Sequence, residues 1–152
     1  MNIVGIKVAA KIDAAVVITS NATLASAGTF FGLLAPAIAA GQIVHARWWI
    51  PFSVGATGGV RAQIVVPAAG VLFNASFTLH NTVAPSITDA MQVASAAFTN
   101  ALANAGNHWL EVEADIVNGV NAGTVDLQIA QNTVDVLSLT VLRGAWCDVV
   151  KA

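Results

Sequence analysis

The alternation that decides the fold lies in residues 41–54, GQIVHARWWIPFSV. One set of alternate positions is apolar and consists of Val44, Ala46, Trp48 and Ile50. The other set consists of Ile43, His45, Arg47 and Trp49. Because successive side chains of a β-strand point to opposite faces, this period of two predicts a strand with one buried face. Pro51 has no backbone N–H to donate, and it predicts a bend or a position at a sheet edge.

Two adjacent tryptophans within this strand must point to opposite faces. Trp48 shares its face with the apolar residues and is predicted to lie in the core, so Trp49 is predicted to point outward. A large aromatic side chain on an outer face is a typical anchor for a subunit contact. Near the C-terminus, Trp146 lies between Ala145 and Cys147 and is predicted to pack in the core.

Further strand patterns follow along the chain, separated by Gly, Asn and Pro clusters. They are VRAQIVV at 60–66, VLFNASFTLHN at 71–81, NHWLEVEADIV at 107–117, TVDLQIA at 124–130 and LSLTVLRGAWCDVV at 137–150. The strand at 43–54 and the next two are joined by short turns, which predicts a three-stranded antiparallel meander. About eight strands in total predict an all-β, antiparallel two-sheet sandwich that is jelly-roll-like.

The middle segment 86–106, SITDAMQVASAAFTNALANAG, is ambiguous. Ser86 and Asp89 form a possible helix-capping pair, whereas residues 92–102 can equally pair as a strand. We favour a loop followed by a strand, because ANAGN at 103–107 is typical of a hairpin connection.

The N-terminal segment 1–17 is predicted to be an edge strand or an arm over a neighbouring subunit, and residues 18–152 to be the sandwich domain. Lys11 and Asp13 interrupt the apolar run that a signal peptide needs, which predicts synthesis in the cytoplasm. Residues 14–44 are apolar but broken by polar residues, Gly and Pro36, so no stretch reaches the roughly 20 apolar residues of a membrane helix. We expect no membrane partner.

Charged side chains are scarce in this chain of 152 residues. They make up 9% of it, against about 25% in an average soluble protein, while 57% of the residues are hydrophobic. A surface with so few charges is typical of a protein whose surface is covered by neighbours. The net charge of −2 provides no attraction for nucleic acid.

An acidic row, Glu111, Glu113 and Asp115, occupies alternate positions of one strand. Such carboxylates can bind calcium or act as an acid and base pair. A calcium loop gathers its oxygen donors in a tight turn, which is absent from the sequence here. We therefore favour a solvated outer face, or one that opposes basic residues, namely Arg47, Arg61 or Arg143.

Other candidate chemistry is weak. His45, His80 and His108 lie on three different strands and form a metal site only if those strands converge. No Gly-x-Ser-x-Gly elbow occurs, and GATGG at 55–59 lacks the lysine of a phosphate-binding loop. Cys147 is the only cysteine and is predicted to be a core residue. We predict no enzymatic activity, no catalytic residues, no cofactor and no metal.

The chain resembles a group of small jelly-roll-like virion proteins of tailed bacteriophages. The resemblance rests on AGTVDLQIAQN at 122–132, LSLTVL at 137–142, RGAWCDV at 143–149 and SNATLASAGTFFGLLAPAIAAG at 20–41, and it covers most of residues 18–152. It implies a virion structural protein, with a capsid cement or decoration subunit favoured over a tail-associated one. The implied partners are further copies of the chain, as a dimer or trimer, and the major capsid protein or other virion proteins.

The candidate interface residues are Trp49, Phe30, Phe31, Ile3 and Val4. The alternative function is a tail-associated or receptor-binding module that recognises a host glycan, for which Trp48, Trp49 and Trp109 are the candidate platforms. The chain departs from the group in having no tyrosine, although a tyrosine commonly follows the glycine that corresponds to Gly41. This departure counts against sugar binding.

Overall fold

The computed structural model describes residues 6–11, 14–19, 23, 25–26, 37–82, 86–92, 97–100 and 105–151. These residues contain fourteen strands and no helix, and hence no helix able to cross a membrane. The strands are β1 (Ile6–Lys11), β2 (Val16–Ile18), β3 (Ala25–Ser26), β4 (Ala37–Ile38), β5 (Ile43–Val54), β6 (Val60–Val65), β7 (Val71–Asn81), β8 (Ser86–Gln92), β9 (Phe98–Asn100), β10 (Gly106–Val117), β11 (Gly123–Thr124), β12 (Asp126–Ala130), β13 (Leu139–Val141) and β14 (Trp146–Lys151).

Eight of these strands form a jelly roll. Their antiparallel pairs are nested along the chain, with β1 on β14, β3 on β12, β5 on β10, and β6 on β9. The larger sheet has the order β1-β14-β5-β10, and the smaller sheet has the order β3-β12-β6-β9. A long antiparallel hairpin wound into two sheets produces this order, so the predicted two-sheet jelly-roll-like sandwich is confirmed.

Six further strands extend this framework. The β7–β8 hairpin continues the larger sheet beyond β10, and β13 joins β5 next to β14 and also pairs with β2. Strands β4 and β11 form a two-stranded sheet of their own. The larger sheet is therefore eight strands in size and presents a broad outer face.

The predicted meander of β5, β6 and β7 is wrong. β6 belongs to the smaller sheet, whereas β5 and β7 lie on the two sides of β10 in the larger sheet. The short turns before and after β6 carry the chain across the sandwich rather than along one sheet. β5 and β10 pair over twelve residues each. β10 therefore occupies the place beside β5 that the predicted meander gives to β6.

Pro51 does not lie at the edge of the sheet. β5 runs through it, between β10 on one side and the β13 and β14 strands on the other. The Leu142 N–H donates to the Pro51 carbonyl at 2.8 Å. Leu142 lies between β13 and β14, where the ladder beside β5 is interrupted. The N–H group that Pro51 lacks would therefore point to this interruption.

The segment after β7 differs from the favoured loop followed by a strand. Ser86–Gln92 is a strand that pairs with β7, so the predicted loop is wrong there and the helix alternative does not form. Phe98–Asn100 pairs with β6, which places a strand within the predicted range 92–102. Tertiary pairing overrides the local capping signal of Ser86 and Asp89.

The core lies between the two sheets and is filled by alternate residues. Trp48 is buried with 1% of its surface exposed, as predicted, and it shares one apolar cluster with residues of both sheets. Phe77 of β7 stacks on Phe98 of β9 with 5.3 Å between ring centroids, which is a direct contact between the sheets. One face of the larger sheet thus packs on the smaller sheet, and its other face points away from the core.

Replacement of Trp48 by alanine should leave the largest cavity of any single core substitution in β5. We expect the free energy of unfolding to fall by about 3–5 kcal/mol, because a buried aromatic side chain is lost without collapse of its surroundings. Urea unfolding followed by circular dichroism measures this loss. Met91→Ala is the control, since Met91 is 70% exposed and should change stability little; equal losses in the two variants would contradict the core assignment.

Candidate interaction face

The larger sheet carries an outer face, defined by the side chains of β14, β5, β10 and β7 that point away from the core. The pairing register places these residues in neighbouring rows. From β14 and β5 come Trp146, Asp148, His45, Arg47 and Trp49, and from β10 and β7 come Trp109, Glu111, Glu113, Asp115, Ser76, Thr78 and His80. Alternation in four adjacent strands thus collects three of the four tryptophans and four acidic side chains on one surface.

An aromatic stack crosses three strands of this face. The Trp49 and Trp109 ring centroids are 5.7 Å apart at an interplanar angle of 27°, and the His80 ring lies 4.7 Å from Trp109 at 17°. Trp109, on the central strand β10, is stacked by a ring on each side. Each of the three side chains is only partly exposed, and together they form a ridge on the sheet.

Arg47 connects this ridge to the acidic row. Its Nη2 donates to Glu111 Oε1 at 2.9 Å, and its Nε lies 3.1 Å from Glu113 Oε1. The second oxygen of Glu111 lies 3.3 Å from His80 Nε2. One arginine therefore holds two carboxylates, and through Glu111 it is linked to the ring that covers Trp109.

The predicted core position of Trp146 is wrong. Its neighbours Ala145 and Cys147 are buried, and Trp146 points outward, opposite Trp49 in the pairing of β14 with β5. The Arg47 guanidinium lies over its ring at 5.8 Å from the centroid, within the range of a cation–π contact. Trp146 lies two residues before Asp148 and therefore on the same face of β14. This spacing indicates an outward position from the sequence alone.

The acidic row is on the outer face, as predicted. Of the three basic residues expected to oppose it, Arg47 pairs with Glu111 and Glu113. Arg61 lies in β6 of the smaller sheet, and Arg143 lies in the turn before β14. Asp115 pairs instead with His45, with 2.8 Å between Oδ1 and Nδ1.

The three histidines do not converge. His108 is 1% exposed on the core side of β10, where its ring lies 5.6 Å from that of Phe52. His45 and His80 lie on the outer face, each beside a different carboxylate. In the described part of the chain, no three His, Cys, Asp or Glu side chains are grouped so that they could hold a metal ion.

Cys147 lies in the core with 1% of its surface exposed. Burial, with a smaller contribution from the charge of Asp148, raises the pKa of its thiol to about 12. The reactive form of cysteine is the thiolate, so a buried thiol with this pKa is inert near neutral pH. Its position is the predicted one.

A shallow groove of about 240 Å³ lies beside the acidic row, on the side of β7 and β8. Its lining includes His45, Asn74, Ser76, Met91, Glu113 and Asp115. Among the described side chains of the outer face, four carboxylates accompany the guanidinium of Arg47, because Asp148 adds to the three residues of the acidic row. The face is therefore acidic, aromatic and partly apolar.

Among the predicted interface residues, Trp49 lies on the outer face and belongs to the aromatic stack. Phe30, Phe31, Ile3 and Val4 lie outside the described residues. Among the predicted glycan platforms, Trp48 is buried, and Trp109 is covered by Trp49 and His80. The sequence pattern missed the contribution of Trp146 and His80, which depends on the pairing of separate strands.

No protein-family model, curated protein or solved structure matches the chain.

The Arg47–Glu111 pair should stabilise the outer face. A double-mutant cycle with Arg47→Met and Glu111→Gln should give a coupling free energy of about 0.5–1 kcal/mol, since the pair is partly exposed and screened by solvent. The measurement is urea unfolding of the four proteins. His45→Ala and Asp115→Ala provide a matched, more exposed pair with weaker expected coupling; zero coupling between Arg47 and Glu111 would show that the ion pair does not hold the face together.

Proposed function

We propose that this chain is a non-enzymatic structural protein of a tailed-bacteriophage virion, specifically a capsid cement or decoration subunit that stabilises the shell by bridging capsid subunits. The observation that carries the proposal is the outer face of the larger sheet. It presents the ridge of Trp49, Trp109 and His80, together with Trp146, whose ring lies under the Arg47 guanidinium. Tryptophan and arginine are the residue types most enriched among the energetically dominant residues of protein interfaces.

The contacts among the side chains of this face support binding to another protein. Ring stacking and the Arg47 ion pairs hold the side chains before any partner arrives, so little side-chain entropy is lost on association. The scarcity of charge in the sequence is consistent with this role, because a subunit in a shell is covered on several sides. Jelly rolls are common in viral capsid proteins and in lectins, so the fold agrees with the proposal without selecting it.

The charge of the face specifies the surface that it would contact. Among the described side chains of this face, Glu111, Glu113, Asp115 and Asp148 outnumber the guanidinium of Arg47, so a complementary capsid surface carries exposed lysine or arginine. Such charges steer docking and suppress wrong partners more than they add affinity. Binding to the assembled shell then adds stability by mass action, since only the folded subunit docks.

Recognition of a host glycan is the second candidate. It is favoured by the partly exposed Trp49, which lies next to hydrogen-bonding groups of Arg47 and Glu111. Sugars stack on a free aromatic face, however, and both faces of Trp109 are used within the stack. A ridge of mutually stacked rings is better suited to packing against protein side chains.

Trp49→Ala should weaken binding to capsids that lack the chain by more than tenfold, a typical loss for an aromatic anchor, while folding stability changes much less. Co-sedimentation with such capsids measures binding, and urea unfolding measures stability. Arg47→Ala and Arg61→Ala form a matched pair on opposite sheets, of which only the first should weaken binding. Equal losses of binding and stability in Trp49→Ala would contradict the interface role.

Glycan recognition has a separate readout in the same proteins. If the purified chain ignores capsids and its tryptophan fluorescence is quenched by host surface polysaccharide in a Trp49-dependent way, the second candidate replaces the first. Capsid binding without a fluorescence response to polysaccharide supports the cement function.

A further inference from the structure

Two neighbouring rows of side chains on the outer face form the groove of about 240 Å³. The pairing register of β5, β10, β7 and β8 sets the order within each row. Read from the β5 side towards β8, the first row is His45, Asp115 and Asn74, and the second row is Glu113, Ser76 and Met91. The groove thus combines two carboxylates, an imidazole ring, an amide and a hydroxyl with one apolar side chain on the β8 side.

Both carboxylates of the groove keep one oxygen outside their existing ion pairs. His45 Nδ1 lies 2.8 Å from Asp115 Oδ1, and Arg47 Nε lies 3.1 Å from Glu113 Oε1, so the second oxygen of each carboxylate takes no part in these pairs. Glu113 lies between Arg47 on β5 and Ser76 on β7, which places the groove on the side away from the arginine. No lysine or arginine is among the described residues that line it.

Charge and hydrogen-bonding capacity both favour a cation with several donors. Carboxylates only accept hydrogen bonds, and the Asn74 carbonyl and Ser76 hydroxyl can accept as well. Glu113 and Asp115 are two residues apart on one strand, a backbone separation of about 7 Å. A guanidinium has five N–H donors in a plane and reaches two carboxylates at once, whereas an ammonium has three donors on one nitrogen. The ammonium would therefore require the two carboxylates to approach each other against their repulsion.

Met91 provides an apolar wall for the stem of such a side chain. It is 70% exposed and lies opposite Ser76, on the strand that ends the described larger sheet. Arginine packs its methylene groups along apolar surface while its head group makes polar contacts, and methionine adapts its shape to what it contacts. An apolar wall beside two carboxylates matches both parts of an arginine side chain.

We propose that this groove binds the side chain of an arginine that a partner protein carries. Asp115 and Glu113 accept from its guanidinium, and Met91 contacts its methylene groups. The inference rests on the proposed function, since it names the basic residue type of the capsid surface and the place on the outer face where that residue docks. The groove and the Trp49 ridge are then adjacent parts of one interface, with a charged contact beside an aromatic one.

The first test of the groove uses the purified chain without capsids. N-acetyl-arginine methylamide is titrated into the chain, and proton–nitrogen NMR spectra are recorded. The citrulline derivative provides a control of matched shape without charge, and the lysine derivative provides one of matched charge. We expect saturable shifts at Asn74, Ser76 and Asp115 with the arginine derivative, binding of the lysine derivative that is weaker by about fivefold or more, and no saturable shift with citrulline.

An isosteric variant then assigns the binding to the groove. Asp115→Asn removes the charge but keeps an oxygen that accepts from His45, and it should raise the dissociation constant of the arginine derivative about tenfold. Asp126→Asn makes the same change on β12 of the smaller sheet and should leave the dissociation constant unchanged. Circular dichroism checks the fold, and Glu113→Gln replaces Asp115→Asn if that variant does not fold. Equal binding of the lysine or citrulline derivative, or unchanged binding in the groove variant, would overturn the proposal.

Capsid co-sedimentation separates this inference from the proposed function. Treatment of the capsids with phenylglyoxal, which blocks arginine side chains, should abolish binding of the chain, whereas acetylation of capsid lysines should weaken it less. Binding that survives phenylglyoxal treatment, or that is unchanged by Asp115→Asn, defeats the arginine site and leaves the cement function intact. A chain that binds the arginine derivative and ignores untreated capsids defeats the cement function and leaves the arginine site intact.

Discussion

The pairing of β5 with β10 is the constraint on which the rest of the structure depends. The ladder joins Ile43–Val54 to Gly106–Val117 without a shift, so the two strands have the same pattern of buried and outward residues. A slip by one residue between them would invert one strand relative to the other, which would turn either Trp48 or Val112 outward and bring either Arg47 or Glu113 to the core side. Correct register is therefore strongly favoured, and it also positions Trp49 against Trp109 and Arg47 against Glu111. The core and the outer face are two consequences of one register.

Predictions that depend on local alternation within a strand were correct. Predictions of which sheet a strand joins were wrong. The inward position of Trp48 and the outward position of the acidic row follow from the period of two, and both are confirmed. The meander failed because a short turn after Val54 has the same composition whether the chain returns beside β5 or crosses to the other sheet. The prediction for Trp146 was wrong for a different reason. Its apolar neighbours suggested a core position, although it lies on the same face of β14 as Asp148. The aromatic stack joins residues from three strands, so no single stretch of sequence reveals it.

The outer face combines aromatic rings with an excess of carboxylates among its described side chains. Scarce charge is thus not spread evenly, since four of the chain's eight acidic residues share one face. In the proposed function, the outer face contacts a basic capsid surface. This face would be covered by a partner whose chemistry matches it, which accounts for a composition that suits an isolated monomer poorly.

Hydroxyl-radical footprinting of the three outer-face tryptophans is the most direct test of the central claim that this face is covered in the virion. Oxidation of Trp49, Trp109 and Trp146 would be measured by mass spectrometry for the free chain and for the chain bound to capsids. The account predicts strong protection of these residues in the bound state, with unchanged oxidation of buried Trp48 as the internal reference. Equal oxidation of the outer-face tryptophans in both states would contradict it and show that the face remains open to solvent.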